Sequence, residues 1–268
     1  MAVFEINLFS NSLHRQTQVT AILPVEEIEI PGFPKLDKSK PFRSIYLLHG
    51  FSGGHGDWLR GSRIEELAML YNVAVFCPSG ENSFYLDDTV RDAYYEQYLC
   101  KELVDFTRRV FPISGEPKDT SIGGLSMGGY GALRNGLKHS DVFGNIVALS
   151  SALITDGLEF ITQQPDNPIA SPSYYIHTFG KPEAVRGSDV DPKALAKKVL
   201  DNGGPIPNIY MACGAEDFLI TENRSLDAHL TDIGFPHVYV EGPGIHSWAF
   251  WDAYIEKALM WLNGLSGQ

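Results

Sequence analysis

Cysteine is scarce in this chain. Only Cys77, Cys100 and Cys213 occur in 268 residues, far apart and without a CxxC pair. That excludes a disulfide framework and a cysteine-based zinc site, and it fits buried thiols in a reducing compartment. Long apolar runs are missing too: nothing approaches the roughly 18 residues of a membrane span. The opening MAVFEINLFSNSLHR lacks the basic start and apolar stretch of a secretory signal. Positive charge is in deficit, with 21 Lys and Arg against 33 Asp and Glu and a net charge of -12. With no Lys/Arg run to offset that field, neither nucleic acid nor an anionic membrane is an expected partner. There is no internal repeat or low-complexity tract. The glycine-rich GFSGGHG has neither the lysine nor the spacing of a phosphate-binding loop, and no dinucleotide fingerprint follows the early strands. A cytoplasmic protein without a cofactor is expected.

What is present is a globular composition, 44% hydrophobic and 20% charged. Strand-like runs (VFEINLF, QVTAILPVEEIEI, SIYLLHG, NVAVFCP, GNIVALSSAL, NIYMACG, HVYVEG) alternate later in the chain with helix-like ones (RIEELAMLY, GGYGALRNGLKH, NRSLDAHLTDIG, WAFWDAYIEKALMWL). The clearest predicted helix is DAYYEQYLCKELVDFTRRVFP. Its Tyr95, Leu99, Leu103, Phe106 and Val110 recur at helical steps, and Pro112 closes it. Strands apolar throughout, alternating with helices, imply an α/β fold: a mostly parallel central sheet covered on both faces. Residues 153–205 break the rhythm with Pro, Gly and polar residues. They read as an excursion or small lid at the sheet's edge, within a single domain spanning 1–268.

Gly124-Leu125-Ser126-Met127-Gly128 fits G-x-S-x-G, a sharp strand-to-helix turn that exposes a serine. Small flanking residues are needed there because strand and helix must approach closely. A serine hydroxyl needs a base, and the base needs an acid to orient it. After the serine, chain order calls for an acid past a later strand and a histidine near the C-terminus. Asp217 in GAEDF and His246 in GPGIHSW meet both conditions. Glu216 is the rival acid, while His229 and His237 lie in or beside regular elements and His139 and His177 precede the acid. The developing oxyanion needs backbone donors. The N–H of Met127 and that of Phe51, in LLHGFSGGHGDW, are the candidates, with Ser52 as fallback. His49, His55 and Asp57 suggest a metal only weakly, since no other ligand cluster accompanies them, so no metal is expected. Trp248, Ser52, Tyr85 and Phe218 are the candidate substrate contacts.

Taken together, LLHGFSGGHGDW, NSFYLDD with YYEQYLCKEL, GLSMGGYGAL, CGAEDFL and HSWAFW resemble the esterase D-like branch of the α/β-hydrolases, across residues 45 to 251. That group includes tributyrin esterases, S-formylglutathione hydrolases and feruloyl and acetyl esterases. The HGFSGG string is closer to the tributyrin-esterase type, and the GLT-C-like string general in S-formylglutathione hydrolases is absent. The resemblance implies an α/β-hydrolase fold, a Ser126, Asp217, His246 triad with an oxyanion donor at Phe51, and a serine carboxylesterase acting on short-chain acyl esters. Thioester hydrolysis, feruloyl or acetyl-xylan ester cleavage, and acyl transfer remain as rival activities. The expected partner is a small-molecule ester, and a homo-oligomer stays open.

Overall fold

The computed structural model describes residues 1–25 and 39–265. The part of QVTAILPVEEIEI beyond Val25, and most of the proline- and lysine-rich stretch after it, lie outside the described residues. Eight strands form one sheet: β1 (Ala2–Ser10), β2 (Arg15–Leu23), β3 (Arg43–Leu48), β4 (Val73–Pro78), β5 (Thr120–Leu125), β6 (Asn145–Leu149), β7 (Asn208–Gly214) and β8 (His237–Gly242). Their spatial order is β1-β2-β4-β3-β5-β6-β7-β8. Strand β2 pairs antiparallel with both β1 and β4, and every other neighbouring pair is parallel. The expected mostly parallel sheet is therefore the observed one.

The uniformly apolar strands are explained by burial on both sides. Along β3, Tyr46 and Leu48 join the core beneath the helix Met127–Lys138. Ile45 and Leu47 point the other way, into a second core with Trp251, Ile255 and Leu259 of the helix Trp248–Leu262. All three cysteines are buried and free.

One sequence expectation needs correction. The helix over 92–112 begins only at Tyr95 and passes through a π-helical turn, Tyr98–Glu102, before resuming as Leu103–Val110. The wider turn shifts the phase of the apolar stripe. Leu99 and Leu103 are buried as expected, but Val104 and Thr107 follow them into the core, and Val110 is exposed. The segment 153–205, expected as an excursion or small lid, joins β6 to β7, an interior parallel pair. Such a pair needs a crossover, and the helix Pro192–Asn202 supplies it by packing on Met127–Lys138. The extra chain is what precedes that helix, including the helix Pro172–Phe179.

Candidate active site

Ser126 occupies the junction between β5 and the helix Met127–Lys138 with φ 55° and ψ −118°. A non-glycine residue there costs about 1–3 kcal/mol and persists only where its surroundings impose it. The surroundings do so. The Ser126 N–H donates to Leu149 O at 2.9 Å, and its carbonyl accepts from the N–H groups of Tyr130 and Ala152, each at 3.0 Å. The flanking glycines supply the clearance: a side-chain carbon on Gly124 would stand 2.5 Å from the Gly128 carbonyl, and one on Gly128 would collide with the Leu48 and His49 carbonyls. Ser126 is partly accessible while residues on either side are buried.

Asp217 and His246 come from the loops after β7 and β8. Those loops are tied together by Ala215 N–H to Gly242 O (2.8 Å) and Glu216 N–H to Gly244 O (3.2 Å). His246 Nδ1 lies 2.9 Å from Asp217 Oδ2 and 3.1 Å from Oδ1, and the Leu219 N–H donates to Oδ1 at 2.9 Å. Burial opposes ionisation of Asp217, yet the hydrogen bonds from His246 and Leu219 outweigh it and hold the carboxyl below its usual range. The acceptor role of the carboxylate leaves His246 protonated at Nδ1 and its Nε2 available as a base. Glu216, the rival acid, is exposed and instead accepts from the Gly244 N–H at 2.6 Å, pinning the histidine loop. The imidazole lies beside two rings, Phe218 with centroids 4.7 Å apart and Trp251 4.9 Å away and edge-on.

The loop after β3 approaches the serine from the other side: a side-chain carbon on Gly50 would lie 3.5 Å from Ser126 Cβ. His49 fixes that loop. Its Nδ1 is 2.7 Å from Gly50 O and its Nε2 2.8 Å from the Gly80 N–H, so Nδ1 carries the proton and donates while Nε2 accepts. Burial lowers its pKa, which keeps the ring neutral. With both nitrogens committed to backbone, and His55 paired to Thr20 Oγ1 at 2.9 Å, the His49, His55 and Asp57 set has no convergent geometry. The Ser52 N–H donates to Asn82 Oδ1 at 2.7 Å and is occupied. Among the described residues the Phe51 N–H has no acceptor. Met127 opens its helix, where backbone N–H groups also lack one.

The four candidate substrate contacts separate. Phe218 is exposed beside His246, and Ser52 is exposed at the tip of the loop. Tyr85 is core: its hydroxyl donates to His49 O at 3.0 Å, and it supports the loop from beneath. Trp248 packs edge-on against Trp58 and Trp251, behind the histidine. Sequence reasoning missed Asn82 and Tyr174. The Tyr174 ring meets Phe51 at 5.6 Å, and its hydroxyl donates to Asn82 O at 2.5 Å, so the helix Pro172–Phe179 walls this loop. Both contacts are long-range, and only the quoted NSFYLDD string hinted at the first.

The sequence pattern of a family described as "Putative esterase" matches residues 10–262. An acetyl esterase of Caldicellulosiruptor saccharolyticus is 48% identical over 266 residues, 99% of this chain and all of that protein. Among solved structures, the fluorophosphonate-binding serine hydrolase F of Staphylococcus aureus, substrate bound, superposes with a TM-score of 0.83 at 29% identity, covering 97% of this chain and 98% of that one. An S-formylglutathione hydrolase from the same organism superposes with a TM-score of 0.82 at 28% identity and the same coverages. Among the described residues no helix is long and apolar enough to cross a membrane.

Proposed function

The chain belongs to the esterase family whose pattern spans residues 10–262, and on that premise we propose that it is a serine carboxylesterase in which Ser126 is the nucleophile, His246 the general base and Asp217 the orienting acid. The observation that carries this reading is the conformation of Ser126, a non-glycine residue held at φ 55° by hydrogen bonds on both sides. His246 Nε2 takes the Ser126 proton as Oγ attacks the ester carbonyl. Asp217 accepts from Nδ1–H and stabilises the imidazolium. The N–H groups of Met127 and Phe51 receive the oxyanion, and the imidazolium then protonates the departing alcohol. Water enters by the same route, giving its proton to His246 and releasing the acid from Ser126.

A short acyl group, acetyl first, is the substrate best supported. The acetyl esterase named above matches along its whole length, and the Phe51, Phe84 and Tyr174 rings crowd the loop that would receive the acyl carbonyl. On the same reading the whole chain is one hydrolase domain, with segment 153–205 walling the site. Three free, buried thiols suit a cytoplasmic setting. The test is a panel of p-nitrophenyl esters of increasing acyl length, methyl ferulate and S-formylglutathione, run beside Ser126→Ala and with fluorophosphonate labelling. Acetate-class esters should be preferred, and the variant should lose both label and turnover by several orders of magnitude. Near-full activity of Ser126→Ala would falsify the assignment. A preference for S-formylglutathione over simple esters would move the substrate to thioesters and leave the nucleophile in place.

A further inference from the structure

Tyr85, expected from sequence to touch substrate, lies instead along one face of the helix Met127–Lys138. Positions 128, 131 and 135 are spaced i, i+3 and i+7, so they share a helix face. Each meets Tyr85 or the carbonyl that Tyr85 binds. Asn135 Nδ2 donates to Tyr85 O at 3.1 Å. A side-chain carbon on Gly131 would stand 2.5 Å from the Tyr85 ring, and one on Gly128 would stand 2.7 Å from His49 O. The Tyr85 hydroxyl ends on that same His49 carbonyl, donating at 3.0 Å. Tyr85 and Asn135 are both buried. The backbone that delivers the ring is unusual: Phe84 and Tyr85 are consecutive aromatic residues at φ 50° and 57°. Bulky side chains keep that conformation only where their surroundings impose it.

From Tyr85 the hydrogen bonds run on to a candidate oxyanion donor. Burial raises the phenol pKa well above its ordinary value, so the hydroxyl keeps its proton and fixes the 49–50 peptide as a donor. The next peptide is fixed through its own carbonyl. Gly50 O accepts from His49 Nδ1–H at 2.7 Å and from the Gly53 N–H at 3.1 Å. A trans peptide directs its C=O and N–H to opposite sides, so holding Gly50 O fixes the direction of the Phe51 N–H. The other donor, the Met127 N–H, opens the helix on which Tyr85 is seated. Two donors serve one oxyanion only if both come within about 3 Å of it, so the separation of loop and helix decides whether they can act together.

We propose that Tyr85 is a positioning residue, a strut seated on Gly131 and Asn135 that sets the separation between the Phe51 N–H and the Met127 N–H. The proposal rests on the esterase reading above.

The test compares Tyr85→Phe, Asn135→Ala, the double variant and Ser126→Ala, using p-nitrophenyl acetate and a trifluoromethyl ketone inhibitor. Ser126 Oγ bonds the ketone carbon, its proton passes to His246, and the carbonyl oxygen becomes an oxyanion between the same two N–H groups. Tyr85→Phe keeps the ring and loses one hydrogen bond. Its kcat should fall about fivefold to tenfold with KM within about twofold, and the inhibition constant of the ketone should rise by the factor that kcat loses. Asn135→Ala should repeat that pattern; if it does not fold, Tyr85→Phe alone decides. The double variant should be no slower than the slower single variant, because both changes loosen one strut. Wild-type kcat in Tyr85→Phe, a lower kcat with unchanged ketone affinity, or losses that multiply would overturn the positioning role. If Ser126→Ala itself stayed active, the esterase reading would fall instead, so the two failures are told apart.

Discussion

Replacing Glu96 with glutamine should cost stability while sparing catalysis. Glu96 lies in the short helical segment Tyr95–Gln97, with its side chain 11% exposed; Arg134 reaches it from the helix Met127–Lys138 with a side chain 5% exposed. Lys138 Nζ and His139 Nε2 close on Glu96 Oε1 at 3.1 and 2.8 Å. Removing one partner of a buried pair typically costs about 3–5 kcal/mol. The lower end applies, since Arg134 keeps Asp189 O at 2.9 Å and Asn135 Oδ1 at 2.7 Å, and a glutamine can still accept. A loss of about 3 kcal/mol corresponds to a melting temperature lower by roughly 6–12 °C in a chain of this size. The pH dependence has a fixed sign. Burial resists ionisation of Glu96, but the His139 hydrogen bond and the Arg134 charge prevail and hold its carboxyl far below the usual range. A depressed folded pKa gives stability that is present above the unfolded value, about 4.3, and lost as pH falls toward the folded one. The gap between wild type and Glu96→Gln should therefore narrow between pH 6 and pH 3 in thermal melts followed by circular dichroism. The kcat/KM for p-nitrophenyl acetate should stay within about twofold at a temperature where both are folded. A melting temperature within about 2 °C of wild type at pH 7, or a gap that widens on acidification, would refute the reasoning.

Other perturbations report on the site directly. Gly128→Ala drives a carbon into the Leu48 and His49 carbonyls, so the helix must retreat and carry Ser126 with it; kcat should fall about a hundredfold or more, read with short-chain esters. Asn82→Ala releases the Ser52 N–H and with it one anchor of the Phe51 loop; a tenfold slower fluorophosphonate labelling rate is expected, corresponding to about 1.4 kcal/mol. Phe218→Ala removes an exposed ring beside His246. It should raise KM for p-nitrophenyl butyrate several-fold and leave kcat nearly unchanged, and a collapse of kcat with constant KM would show that the ring holds the imidazole instead.

The sheet was legible because β3, β4, β6 and β7 carry apolar runs (IYLL, VAVFC, IVAL, IYMAC) separated by amphipathic helices, the pattern of a parallel sheet covered on both faces. The juxtaposition of Asp217 and His246 was legible for the same reason: chain order and strand ends constrain which loops can meet. What local pattern could not reveal depends on contacts far apart in sequence. The π turn at Tyr98–Glu102 leaves no mark in helical spacing until burial shows Val104 and Thr107 turned inward and Val110 outward. Tyr85 looked like a substrate contact from its place near the loops, yet Gly80 and Gly131 leave room for its ring in the core. Trp248 is nearest His246 in sequence, but Trp251, one helical turn on, is the residue whose ring meets it.

Substrate choice and catalytic geometry are not independent in this architecture. The N–H proposed to receive the oxyanion belongs to Phe51, whose ring rests against Tyr174 of the helix Pro172–Phe179, and Tyr174 also donates to the backbone of Asn82, the residue that pins Ser52. Any change in the segment 153–205 that admits a larger acyl group by displacing Tyr174 therefore also loosens the loop that carries the donor. Tyr174→Ala should for that reason widen acyl tolerance and lower kcat for acetate together, whereas Tyr174→Phe, which keeps the ring contact and loses only the bond to Asn82 O, should leave acyl preference unchanged. Loss of one oxyanion donor's alignment is worth up to a hundredfold or more in kcat, so even partial loosening would register against a modest gain for butyrate. A Tyr174→Ala enzyme that accepted longer acyl groups at full acetate turnover would show that wall and donor are separable.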